Sequence, residues 1–187
     1  MTEAELRVSE QAKRIVSGVL RSGGTAVDAT AGNGHDTLFL SQTAGDCGQV
    51  LAFDIQQEAV DSTRQRLADA GAPDNTRIQL KNNACFADEG VLPETVDVFM
   101  YNLGYLPGSG SRLATTAEDT LASLQGAAGH LAPGGVITIC LYPHNPEEIE
   151  TVEKWCARLA ASLSACPGDR VNRSWPPYLA VVVKEDA

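Results

Sequence analysis

TAVDATAGNGHD, Thr25 to Asp36, reads as a short apolar strand, Thr25 to Ala29, that turns through Gly32 and Gly34 into a helix opening near His35 or Asp36. Glycine suits a sharp strand-to-helix turn because the backbone there takes positive φ or meets a ligand without a Cβ in the way. The N–H groups at the start of the new helix are free to meet a polar ligand. The spacing is G-x-G, without the third glycine of the dinucleotide fingerprint. A second apolar strand, Gln49 to Phe53, follows and delivers Asp54 at its end, 20 residues after Gly34. A carboxylate in that place accepts hydrogen bonds from both hydroxyls of a ribose. Glycine turn first and acidic strand end second is the layout for an adenosine-type cofactor.

Outward from this stretch the chain alternates helices and strands. Ala4 to Leu20 has helical apolar spacing at Leu6, Val8, Ala12, Ile15, Val16 and Val19, and Ser22-Gly23-Gly24 ends it. This leading helix, within residues 1–22, is expected to pack on the sheet or to shield the cofactor. After the glycine turn come a helix from His35 to about Ala44, the second strand, and an amphipathic helix from Glu58 to Ala70. A third strand over Thr76 to Leu80 leads to Asn83, a candidate to meet the adenine. Thr95 to Tyr101 is a fourth strand with Asn102 at its tip. A helix over Leu113 to Leu131, stopped by Pro133-Gly134-Gly135, precedes a fifth strand, Val136 to Tyr142. Glu147 to Ser164 is a long helix with Pro146 suited to its first turn. Arg170 to Asn172 and Tyr178 to Lys184 read as two closing strands in an antiparallel edge hairpin. Such alternation implies an α/β fold with a mostly parallel sheet covered on both faces. The 187 residues suit one domain.

Composition narrows the class. There is no apolar run of about 18 residues, and the polar first residues lack a signal-peptide core. Five scattered cysteines with no C-x-x-C pair argue against a disulfide framework or a zinc site, so a reducing cytoplasm is expected and no metal. The net charge of −10 and a pI near 4.6 argue against broad, non-specific binding to duplex nucleic acid, while leaving room for a local basic patch.

Ligands in open α/β sheets lie beyond the carboxyl ends of the strands, at the switch in strand order. Asn102 should therefore face the glycine turn. It opens the run N-L-G-Y-L-P-G, Asn102 to Gly108, whose Asn-x-x-Tyr spacing is similar to the Asn-Pro-Pro-Tyr motif of amino-group methyltransferases. There the asparagine carbonyl accepts from the target nitrogen and the aromatic stacks on the base. In-line displacement needs the nitrogen lone pair aimed at the methyl–sulfonium bond.

DATAGNGHDT (Asp28 to Thr37), AFDIQ (Ala52 to Gln56), NLGYLPG (Asn102 to Gly108) and PPYLAVVVKE near the end together resemble one family almost from end to end. It is the class I S-adenosylmethionine-dependent methyltransferases labelled "putative rRNA methylase", whose members include tRNA 5-aminomethyl-2-thiouridine methyltransferases. The resemblance implies a Rossmann-like sheet of seven strands in the order 3-2-1-4-5-7-6. It implies S-adenosyl-L-methionine as cofactor and S-adenosyl-L-homocysteine as product. The implied reaction methylates the exocyclic amine of 5-aminomethyluridine in the tRNA anticodon loop, at the wobble position, with or without 2-thiolation.

Carried over by motif, the expected cofactor residues are Asp28, Ala31, Gly32, Asn33, Gly34, His35, Asp36, Thr37, Asp54, Ile55, Gln56, Asn83 and Asn102. The expected substrate-facing residues are Leu103, Gly104, Tyr105, Leu106, Pro107, Gly108, Tyr142, His144 and Asn145, with Asn102, Tyr105 and His144 as the catalytic set. One departure stands out. The family tends to read Tyr-x-Gly-His-Pro after strand five, whereas this chain has Tyr142-Pro143-His144-Asn145-Pro146, with Asn145 in the histidine's place. His35, Asp36 and His144 are the candidates for a general base, although an alkylamine can lose its proton to water before attack. Arg112, Arg170, Arg173 and Lys184, with Trp175 or Tyr178 for stacking, are candidates for RNA contact. The acidic composition makes a homodimer an expected way to assemble enough RNA surface.

Other readings remain open from the residues alone. The same cofactor could serve rRNA or another amine, or the chain could be a non-catalytic cofactor-binding subunit of an RNA-modifying complex. An NAD oxidoreductase is disfavoured by the missing glycine and the Asn-x-x-Tyr run.

Overall fold

The computed structural model describes residues 3–104, 116–142, 145–162 and 178–185. In chain order the elements are α1 (Glu3–Val19), β1 (Thr25–Asp28), α2 (His35–Ala44), β2 (Gln49–Asp54), α3 (Gln57–Asp69), β3 (Thr76–Leu80), a 3-10 turn (Asn83–Ala87), β4 (Val96–Leu103), α4 (Ala117–His130), β5 (Leu131–Leu141), α5 (Pro146–Ser162) and β6 (Tyr178–Val183). The sheet runs β3-β2-β1-β4-β5-β6. All pairs are parallel except β5 with β6, where Leu141 faces Tyr178 and Val136 faces Val183. This is the expected class I methyltransferase sheet, with β6 in the place foreseen for a seventh strand. The segment foreseen as the sixth, Arg170 to Asn172, lies outside the described residues, as do Leu113 to Thr115.

Alternation along each strand divides the core in two. Val98 and Met100 of β4 join Ala26, Val50, Val136 and Cys140 under α1 and α2. Phe99, Tyr101 and Leu103 join Val27, Phe53, Ile137 and Ile139 under α4, α5 and the 3-10 turn. Val8, Ala12 and Val16 of α1 recur at four-residue steps and are buried on the first face. The leading helix therefore packs on the sheet.

The start of β5 differs from expectation. Pro133-Gly134-Gly135 reads as a helix stop, yet α4 already ends at His130 and the strand begins at Leu131. Leu131 pairs with Val96 and Val136 with Val98, so the intervening residues form a bulge. Gly134 takes φ 71°, and a Cβ on Gly135 would lie 2.8 Å from the Ala132 carbonyl oxygen. The bulge is closed by Lys184: its N–H donates to Gly135 O and its carbonyl accepts from Gly134 N–H. This places Lys184 at the amino edge of β5, opposite the strand ends that hold the site. Its Nζ donates to the Leu131 carbonyl at 2.6 Å, so its expected place on a substrate rim is corrected.

Candidate functional site at the carboxyl ends of β1, β2 and β4

The turn after β1 is held by its neighbours. Ala31 N–H donates to the Phe53 carbonyl, Gly32 N–H to Asp54 Oδ2 at 2.9 Å, and Thr63 Oγ1 to the Gly32 carbonyl. Arg66 Nε donates to the Asn33 carbonyl. Gly32 and Gly34 take φ of 52° and 76°, and a Cβ on Gly34 would lie 2.8 Å from Thr63 Cα. Both the backbone conformation and the approach of α3 thus demand glycine at Gly34. Gly34 is the N-cap of α2 and supplies no side-chain cap, so the first N–H groups of that helix are left for another acceptor.

Asp54 stands half-buried at the end of β2. Its Oδ2 holds Gly32 and its Oδ1 accepts from Gln56 N–H at 2.9 Å. Each oxygen keeps a lone pair for a further donor. Ile55 beside it is 38% exposed, an apolar surface next to a carboxylate.

Asp28 is 1% exposed and accepts from Thr37 Oγ1 at 2.6 Å and Thr30 N–H at 3.1 Å. Burial, with the Asp36 carboxylate next and Asp54 contributing, pushes its carboxyl up to about 7 against the pull of those hydrogen bonds. His35 is largely exposed at the helix start, and its basicity is lowered by partial desolvation first and then by Arg66 and Lys13.

Asn102 is the second-last residue of β4, pairs across the ladder with Cys140, and lies on the α1/α2 side of the sheet. Its N–H donates to Thr30 Oγ1 at 2.8 Å, and its Nδ2 approaches Asp36 Oδ2 at 3.5 Å. Asp36 Oδ1 lies 3.2 Å from Lys13 Nζ of α1, an ion contact without aligned hydrogen-bond geometry. Lys13 also sits 5.7 Å from the centre of the Phe39 ring. Sequence reasoning missed Lys13 and Thr30. The signal for Thr30 was its place inside the glycine turn. For Lys13 it was only its position four residues after the buried Ser9, beside the apolar stripe of α1.

Other expected residues fall as follows. Gly32, Asn33, Asp36 and Gly104 are partly exposed, whereas Ala31, Thr37, Gln56 and Tyr142 are buried. Asn83 turns inward, donating from Nδ2 to the Ala29 carbonyl at 2.9 Å, with a buried Oδ1 that has no hydrogen-bond partner. It braces the end of β1 where an adenine-facing side chain was expected. Leu103 is 2% exposed in the α4/α5 core, because alternation turns it away from the face of Asn102; its expected contact with substrate is corrected to packing. Asn145 caps α5: its Oδ1 accepts from Glu148 N–H and its Nδ2 donates to Glu148 Oε2, a reciprocal capping pair ahead of Pro146. Glu148 is itself buried against Thr120 Oγ1 at 2.6 Å. Tyr178 is 9% exposed, with its hydroxyl on Glu153 Oε1, rather than open for stacking. Tyr105, Leu106, Pro107, Gly108, Arg112, His144, Arg173 and Trp175 lie outside the described residues. Among the described residues no group of His, Cys, Asp and Glu is arranged to hold a metal, and no helix is long and apolar enough to cross a membrane.

A family model described as "Putative rRNA methylase" matches residues 50–184, which takes in the second and third motifs and the last up to Lys184 but starts after the glycine turn. The chloroplastic tRNA (mnm(5)s(2)U34)-methyltransferase of Arabidopsis thaliana is 35% identical over 193 residues, covering 96% of this chain and 70% of that protein. A crystal structure described as a "putative rRNA-methylase" from Clostridium thermocellum superposes with a TM-score of 0.82 at 29% identity, over 95% of this chain and 96% of that one. A Streptococcus mutans protein described as "a putative methyltransferase", solved in complex with SAH, gives 0.81 at 29% identity over 98% and 99%.

The residues present fit such a cofactor. The Asp54 carboxylate has acceptor capacity left for a diol, Ile55 offers an apolar face beside it, and the Asp36 and Asp54 carboxylates flank the turn with negative charge suited to a sulfonium and an ammonium. The chain belongs to the rRNA methylase family and is a methyltransferase whose cofactor is S-adenosyl-L-methionine.

Proposed function

We propose that this protein methylates the exocyclic amine of 5-aminomethyluridine at the wobble position of tRNA, with or without 2-thiolation, to give 5-methylaminomethyluridine. The observation that carries this reading is the likeness, over nearly the whole chain, to a methyltransferase named for uridine 34 of tRNA.

The geometry supports an amine target. When bound, the cofactor supplies an electrophilic methyl carbon on a sulfonium. Asp54 would hold the ribose, Ile55 the adenine, and the Gly32–Gly34 turn with the uncapped start of α2 the methionine end. An attacking amine presents two hydrogens and one lone pair. Asn102 accepts one of those hydrogens through Oδ1, which turns the lone pair toward the methyl group. An alkylamine is mostly protonated at neutral pH, by analogy with lysine at ~10.4, and only its neutral form attacks. Carbonyl acceptors and partial desolvation favour that neutral form. The N–C bond forms as the S–C bond breaks, and the second proton leaves to water. By the motif resemblance, Tyr105 and His144 are assigned to the uracil and the amine in this reading. The protein acts as a homodimer that gathers its sparse basic groups into one RNA surface; a monomer by sedimentation that methylates tRNA at full rate would remove that part.

The test offers methyl-labelled cofactor with tRNA bearing 5-aminomethyluridine, the same tRNA with unmodified wobble uridine, and rRNA. Label is expected only in the first. Label in rRNA would support the reading that the family description suggests and would overturn this one.

A further inference from the structure

We propose that Lys13 and Asp36 form a positioning pair that sets which end of the Asn102 side-chain amide faces the substrate. This rests on the amine reading above and deepens it. An asparagine amide has an acceptor end and a donor end of nearly equal shape. With the acceptor outward it receives an amine N–H. With the donor outward it would spend the lone pair that must attack. The strand alone does not choose between them, because the backbone bond from Asn102 N–H to Thr30 Oγ1 is the same in both.

Asp36 makes the choice. An ionised carboxylate only accepts hydrogen bonds, so it takes the Nδ2 end, as seen at 3.5 Å from Oδ2, and leaves Oδ1 outward. At 3.5 Å this contact stands at the long end of the hydrogen-bond range. The other half of the device is Lys13. Asp36 is only 12% exposed and shares its surroundings with the buried Asp28 carboxyl, so its charge needs compensation. Lys13 supplies it at 3.2 Å from a helix 23 residues earlier in sequence, with its Nζ also 5.7 Å from the centre of the Phe39 ring. The approach of Asn102 Nδ2 to Asp36 Oδ2, with Lys13 on the other carboxylate oxygen, sets the pair beside the end of β4. Neither side chain touches the amine; both act through Asn102.

The test compares Lys13→Met, Lys13→Arg and Asp36→Ala with the wild-type chain in single-turnover methylation of 5-aminomethyluridine tRNA. Cofactor affinity by calorimetry and thermal melting are measured alongside. Lys13→Met is expected to slow the chemical step about tenfold or more, the discrimination carried by one charge-assisted hydrogen bond, with cofactor affinity within about twofold. Lys13→Arg, which keeps the charge, is expected to recover most of the rate. A Lys13→Met chain at wild-type rate, or a loss that Lys13→Arg shares in full, would overturn the proposal.

A second readout needs no turnover. The Asn102 side-chain amide protons, assigned by their loss in Asn102→Asp, are expected to exchange slowly in the wild type and faster in Lys13→Met and Asp36→Ala. Unchanged exchange in both would also overturn it. If the wild type transfers no label to the tRNA, the wobble reading falls, and the exchange comparison alone decides the positioning role.

Discussion

Replacing Asp28 by asparagine is expected to make the protein more stable at neutral and alkaline pH, although it removes a residue at the centre of the site. Asp28 is almost fully buried, and its carboxyl is pushed from 3.8 to about 7, by burial first and the Asp36 carboxylate second. The folded chain therefore keeps this proton over a range where the unfolded chain has released it. The stability it contributes is complete below about pH 4 and is lost as pH rises through 7. The gap corresponds to about 4 kcal/mol in all, of which roughly 3 kcal/mol disappears between pH 5 and pH 8. Asparagine has no such proton to lose. Its Oδ1 can accept from Thr30 N–H and its Nδ2 can donate to Thr37 Oγ1, so both present contacts survive. Urea unfolding of both chains at pH 5 and pH 8 measures the difference. The variant should gain on the wild type across that interval, and at pH 8 its melting temperature should lie about 10 °C higher for a domain of this size. A variant no more stable than the wild type at pH 8, or a difference that does not change with pH, would refute the reasoning.

Other outcomes follow from the same geometry. Gly34→Ala combines a φ of 76° with a Cβ placed 2.8 Å from Thr63 Cα, so urea unfolding should show a loss of about 1–3 kcal/mol, whereas Gly71→Ala, where φ is 58° and the space is open, should lose less. Asp54→Ala removes the acceptor for Gly32 and Gln56 N–H as well as the ribose contact, and calorimetry should find the cofactor bound about tenfold or more weakly; equal affinity would contradict its role. Asn145→Ala deletes the cap of α5 and should cost about 0.5–2 kcal/mol in unfolding, with cofactor affinity unchanged.

Much of the fold was legible because its punctuation is local. Glycines that need positive φ mark the turn after β1, and a run of apolar residues closed by Asp54 marks β2. Asn102 was legible as a strand tip, since a polar residue after Val-Asp-Val-Phe-Met-Tyr has to stand where the strand leaves the core. The direction of a side chain is a further step. Strict alternation sends Leu103 to the face opposite Asn102, and that could have been counted from Val98 and Met100. Lys184 is a similar case: an antiparallel last strand must carry its end to the edge away from the site. Pro133-Gly134-Gly135 misled because a bulge and a helix stop use the same residues; only the ladder with Lys184 tells them apart. Lys13 was beyond reach. Its partner lies 23 residues later on another helix, and a lone lysine on an amphipathic helix is ordinarily a solvated one. Asn145 shows the reverse, a residue read for substrate that local capping chemistry fully employs.

The most direct test of the central claim is nucleoside mass spectrometry on tRNA carrying 5-aminomethyluridine after incubation with labelled S-adenosyl-L-methionine and either the wild-type chain or Asn102→Ala. The expected result is label in 5-methylaminomethyluridine with the wild type and its loss with the variant while cofactor binding persists. Label in any other nucleoside, or undiminished product from Asn102→Ala, would contradict the account.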